Sequence, residues 1–150
     1  MTKDIDAVAA WRCVLLARER VVRAIEQDLR DAGEIPLTWY DVLLELNAAP
    51  GHALRMQDLG ARVVLSRSRV SRLVDDLERH GYVERRPDDL DGRATLATMT
   101  PAGRQAFRTA AKVYLRGIDE HFGRHIGPAE QLSIVRALQP VLNHHDDQSA

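Results

Sequence analysis

Residues 66–104 read SRSRVSRLVDDLERHGYVERRPDDLDGRATLATMTPAGR, and two periodicities stand side by side in that stretch. Val70, Leu73, Val74 and Leu77 recur at i, i+3, i+4 and i+7, which gathers them on one stripe of a helix and turns Ser68, Ser71, Arg72 and Asp75 to the opposite face. Gly81 ends that helix, after which the alternation in Tyr82 to Arg86 and in Ala94 to Thr98 predicts two short strands around a loop of Pro87, Asp88, Asp89, Leu90, Asp91 and Gly92. Ser66 is the predicted N-cap of the helix, and the third residue after it is Arg69 rather than the Glu or Gln of a capping box. A helix followed directly by a two-stranded hairpin predicts a winged helix.

Charge is distributed as a nucleic-acid reader requires, although its sum is not. The net charge of the 150 residues is only −1, so position has to carry the argument. Between Asp58 and Asp75 there is no carboxylate, while Arg62, Arg67, Arg69 and Arg72 fall in the gap. A helix N-terminus with free N–H groups and arginines suits a phosphate backbone, and Arg and Ser can also reach base edges. Of the 21 basic residues all but Lys3 and Lys112 are arginine, the better fork for phosphate and guanine. The hairpin loop is acidic apart from Arg93, so charge alone predicts that DNA repels it. A pairing of Asp91 with Arg93 that sets the loop shape and aims the guanidinium into a minor groove would offset this; the alternative is a solvated acidic turn.

Three segments carry a resemblance: LTWYDVLLEL at 37–46, LRMQDLGARVVLSRSRVSRLVDDLERHGYVERR at 54–86, and DDLDGRATLATMTPAGR at 88–104. They resemble the MarR-type (multiple antibiotic resistance regulator) winged-helix transcription factors, and the match covers nearly the whole chain. The resemblance implies a homodimer bound to palindromic double-stranded promoter DNA, acting as a repressor and released by a small aromatic effector or an oxidant. It also implies that Arg67, Ser68, Arg69, Ser71 and Arg72 read the major groove while Arg93, within the family's Asp-x-Arg as Asp91 and Arg93, enters the minor groove. Arg55, Gln57, Arg62, Ser66, Arg86 and Asp91 complete the expected DNA-binding set. Gly92 departs from the pattern, since many members have a second arginine there, and this implies a looser wing contact.

The rest of the chain reads as helices flanking the reader, giving a mainly α fold with a small β wing. Val8, Trp11, Val14, Leu15, Val22, Ile25 and Leu29 predict a helix over about 4–32, closed by Gly33 and Pro36. Thr38 is the predicted cap of a second helix to about Ala48, Leu54 to Met56 a short strand, and Gln57 to Val63 or Val64 the scaffold helix. Thr100 is the predicted cap of a helix from Pro101 to about His125, and Pro128 opens a last helix to about His144, with a kink expected at Pro140. On this reading 1–36 and 101–146 form a helical dimerisation region, 37–100 the winged helix-turn-helix, and 147–150 a disordered tail. Trp11, Leu15, Leu132, Val135 and Leu142 belong to an apolar surplus beyond what a compact reader would bury, and a second subunit would cover it.

Other function classes fail on inventory. There is no Gly-rich phosphate loop, nucleophile elbow, paired-Cys motif or HExxH, so no enzyme and no cofactor is expected. No apolar run reaches the roughly 18 residues of a membrane span, and the N-terminus lacks a signal-peptide pattern, so a cytoplasmic protein is expected. Trp11, Trp39 and Tyr40 are the candidates to line an effector crevice, against the alternative that they fill a core. Cys13 is expected to be an inert buried thiol rather than a peroxide sensor. His121 and His125 have the i, i+4 spacing of a shared zinc site but lack a completing ligand set, and no metal site is expected. A winged helix serving only as a protein-interaction adaptor is the rival reading.

Overall fold

The stripe Val70, Val74 and Leu77 is buried in the computed structural model, which describes residues 6–63 and 66–146. The helix that carries it, α4 (Arg67–Arg79), stands fourth in the order α1 (Ala7–Asp31), α2 (Leu37–Ala48), β1 (Ala53–Arg55), α3 (Met56–Arg62), α4, β2 (Val83–Pro87), β3 (Thr95–Met99), α5 (Pro101–His121) and α6 (Pro128–Asp146). Short 3-10 turns occupy Pro50–His52 and Gly123–His125. The fold is mainly helical with one small antiparallel sheet in the order β1-β3-β2. Both hairpin strands lie one residue later than their alternation suggested, a shift within the ordinary uncertainty of strand ends. Leu54 and Arg85 both stand opposite Ala97, so β3 is the central strand and turns Ala97 and Met99 inward.

The described chain divides into two compact units, one of residues 25–114 and the other formed by the residues before and after it. Both boundaries fall inside helices, α1 and α5. In the unit of residues 25–114, Val42, Leu43, Leu46, Leu59, Val70, Val74, Leu77 and Val83 are essentially closed to solvent. Each such side chain contributes about 1.5–3 kcal/mol on removal from water. Tyr40 stacks on Phe107 with ring centroids 5.1 Å apart and tilts against Tyr114 at 4.6 Å, and Ile25 and Leu29 are buried in the same unit. Thr100 donates its hydroxyl to the Gly81 carbonyl at 2.6 Å and accepts the Gly103 N–H at 3.0 Å, capping α5 while tying it to the end of α4.

In the second unit the apolar surplus lies open. Val8, Trp11 and Leu15 form an exposed stripe on α1, and Leu132, Val135, Val141 and Leu142 are exposed on α6. α6 runs unbroken through Pro140.

Three expectations are corrected. Thr38 does not cap α2: Pro36 occupies the N-cap, no side-chain cap bond forms, and the Pro36 carbonyl accepts the Trp39 and Tyr40 N–H groups instead. Proline pre-sets the backbone at a helix start, so the hydroxyl is not needed there. α5 stops at His121 because Phe122, at φ −135° and ψ −63°, leaves helical geometry before the turn at Gly123. His121 and His125 therefore do not share one helical face, and His125 Nε2 lies 2.9 Å from the Glu120 carbonyl. Cys13 is exposed, not buried, because the face of α1 that carries it is open. The expected helix start near residue 4, the end of α3 at Val64 and the tail at 147–150 fall outside the described residues.

Candidate nucleic-acid interface

The start of α4 is built as the sequence required. Ser66 caps the helix by accepting the Arg69 N–H at 3.4 Å, and its hydroxyl lies 3.3 Å from that of Ser68. Ser66, Arg67, Ser68, Arg69 and Arg72 are exposed, while Ser71 is half-buried. The Arg72 Nε donates to the Ser68 carbonyl at 3.3 Å, which lays its side chain back along the helix. Among the described residues no carboxylate pairs with Arg67, Arg69, Arg72 or Arg93. Positive charge left without an internal partner next to a helix N-terminus is a site for anionic backbone.

The wing loop is less acidic toward solvent than its composition suggested. Of its three aspartates Asp88 is turned inward, only 8% exposed, and both Nε and Nη2 of Arg55 meet its Oδ2 at 2.7 Å. The Leu90 N–H donates to Asp88 Oδ1 at 3.0 Å; this bond and then the Arg55 guanidinium hold the carboxyl below the usual carboxylate range, against the cost of burial. Arg55 is thus an internal partner of the wing. The expected pairing of Asp91 with Arg93 is made through the backbone: Asp91 Oδ1 accepts the Arg93 N–H at 3.1 Å and forms no ion pair with its guanidinium. Leu90, 94% exposed, stands out from the loop.

Two neighbouring arginines on β2 have opposite fates. Arg86 points outward and pairs with exposed Glu84 at 2.6 Å. Arg85 points inward, meeting Asp75 at 2.7 Å and Glu78 at 2.9 Å while its Nη2 donates to the carbonyl and hydroxyl of Ser71 at 3.1 and 3.4 Å. Burial works against its charge, but the bonds to Asp75 and Glu78 prevail and raise its pKa. Sequence reasoning missed Arg85, yet strand alternation puts it on the face of buried Val83 and could have revealed it. Arg55, Gln57, Arg67, Ser71, Arg85 and Arg93 line one cleft of about 430 Å³ between α4 and the wing. Arg62 and Arg86 do not line it; Arg62 lies 3.8 Å from Glu45.

The candidates for an effector crevice have different surroundings within their own units. Trp11 is 60% exposed on α1, in the other unit. Trp39 sits edge-on to His80 at 4.7 Å and to Tyr82 at 6.2 Å, whereas buried Tyr40 belongs to the Phe107 and Tyr114 stack. Burial, and then the neighbouring Tyr114, raise the Tyr40 pKa.

A helix whose N-terminal arginines pair with no carboxylate among the described residues, beside a braced two-stranded wing with an exposed arginine, defines a winged-helix DNA-binding protein. The MarR family model matches residues 34–94. The crystal structure of AbsC, a MarR family transcriptional regulator from Streptomyces coelicolor, superposes with a TM-score of 0.87 over 98% of both chains at 26% identity. That of Sco3205, a regulator of the same family and organism in complex with DNA, superposes at 0.83 over 95% of this chain and 91% of that one, with 27% identity. The transcriptional activatory protein BadR of Rhodopseudomonas palustris is 23% identical over 137 residues, 91% of this chain and 74% of BadR. Residues 34–94 thus match the MarR family, and nearly the whole chain shares its fold with transcriptional regulators of that family. No helix among the described residues is long and apolar enough to cross a membrane.

Proposed function

We propose that the protein acts as a homodimer on palindromic double-stranded promoter DNA, with α4 in the major groove and Arg93 of the wing in the minor groove. The observation that carries this reading is the set of guanidinium groups of Arg67, Arg69, Arg72 and Arg93, paired with no carboxylate among the described residues and spread over α4 and the wing. The likeness to Sco3205, solved in complex with DNA, supports DNA as the partner. Exposed apolar stripes on α1 and α6 support pairing of subunits, and two α4 helices about 34–36 Å apart would match half-sites one turn of duplex apart. Ser68 and Ser71 belong to the major-groove set, with Ser66 setting the helix start. Repression follows where such a site overlaps a promoter, and release by a small aromatic effector is proposed on the family resemblance.

The test is selection of bound duplexes from a random library with purified protein, followed by titration of the selected site. Inverted half-sites centred one turn apart are expected, with affinity falling steeply as salt rises and counterions are released. Arg72→Ala should cost about 1–3 kcal/mol and relax preference at one position of each half-site. A flat salt response with no selected sequence would favour the protein-interaction adaptor.

A further inference from the structure

Residues 88–94 of the wing close on themselves. The Asp88 N–H donates to the Ala94 carbonyl at 3.0 Å and the Ala94 N–H to the Asp91 carbonyl at 2.9 Å. Asp88 Oδ1 takes the Leu90 N–H and Asp91 Oδ1 the Arg93 N–H. Such a loop can keep its own shape and still swing as a unit about the ends of β2 and β3. A side-chain contact spanning 33 residues of chain ties it to the body: the Arg55 guanidinium on the inward carboxylate of Asp88. Arg55 is itself placed by two elements, since it ends β1 in register with Leu96 and occupies the N-cap of α3. The pair is therefore a brace from the scaffold helix to the base of the wing tip.

Resting on the reading that Arg93 enters the minor groove, we propose that Arg55 and Asp88 are positioning residues for Arg93: their ion pair holds the wing loop at the angle at which that guanidinium meets DNA. A short loop that must find its angle on binding loses affinity to the ordering of its side chains, and a brace removes that loss in advance. The geometry also accounts for a carboxylate close to a polyanion, because Asp88 faces Arg55 rather than the duplex.

The proposal and simple electrostatics predict opposite signs. Asp88→Asn removes a negative charge beside the DNA site and frees Arg55 for phosphate, so electrostatics alone would tighten binding. Positioning predicts that it weakens binding to the selected duplex about tenfold, as does Arg55→Gln, at a temperature well below the thermal midpoint of either variant. In an Arg93→Ala background both losses should vanish, because there is no guanidinium left to place. Without DNA, tryptic cleavage after Arg93 should become several-fold faster in Asp88→Asn as the loop is released. Unchanged or tighter binding by Asp88→Asn overturns the proposal, as does a loss that persists undiminished in the Arg93→Ala background. If Arg93→Ala alone leaves affinity untouched, it is the minor-groove reading that has failed, and the positioning role falls with it.

Discussion

Gly103 is a single residue whose identity is dictated by a neighbour. A Cβ there would lie 2.1 Å from the Tyr82 carbonyl oxygen, a backbone atom already bonded to the Thr100 N–H and unable to retreat. Gly103→Ala should therefore cost about 1–3 kcal/mol, read as a lowered denaturation midpoint in urea with the slope unchanged. Arg85 and Arg86 make the same point through charge. Arg85→Ala strips a half-buried group from two carboxylates and a carbonyl and should destabilise by about 1–2 kcal/mol, whereas Arg86→Ala removes one exposed pair and should stay within about 0.5 kcal/mol. Equal effects of the two variants would refute the inward clasp. The difference was legible in principle, because adjacent strand residues face opposite ways and Arg85 shares its face with apolar Val83.

At the scale of elements, α4 and the wing are held by different chemistry and should fail under different conditions. The end of α4 depends on a cap, so Ser66→Ala should lower stability by about 0.5–1 kcal/mol in thermal unfolding, the low end reflecting a 3.4 Å bond. The wing depends on a charged carboxylate. The Leu90 N–H and Arg55 hold the folded Asp88 pKa below that of the unfolded chain, so its stabilising contribution is complete above the ordinary value of about 3.9 and is lost as pH falls through the lowered folded value. Amide exchange of Leu90 should accordingly accelerate on acidification beyond the intrinsic trend, and Asp88→Asn should abolish that acid response. A wing whose exchange ignores both changes is not braced by this pair. The helix stripe and the Ser66 cap were readable from residues three or four apart; the brace was not, since its partners come from opposite ends of the reader.

For the whole molecule, the open question of α1 and α6 is what covers Trp11, Leu15, Val135 and Leu142. The proposed dimer predicts that Leu15→Glu or Val135→Glu gives monomers in analytical ultracentrifugation and lowers operator affinity by at least tenfold, since one half-site contact loses the benefit of the linked second. A wild-type protein that sediments as a monomer at micromolar concentration would remove the dimeric reading. Local order was settled by sequence alone: the stripe of α4, its serine cap, the glycine after it and the alternating hairpin are dictated by groups a few residues apart. Tertiary structure decided which arginines remain available for a partner. Arg55 and Arg85 are taken by Asp88 and by Asp75 and Glu78, partners that the sequence does not name. The physical reason is that a guanidinium's availability depends on where the nearest carboxylate lies in space, and that distance does not exist until the chain has folded.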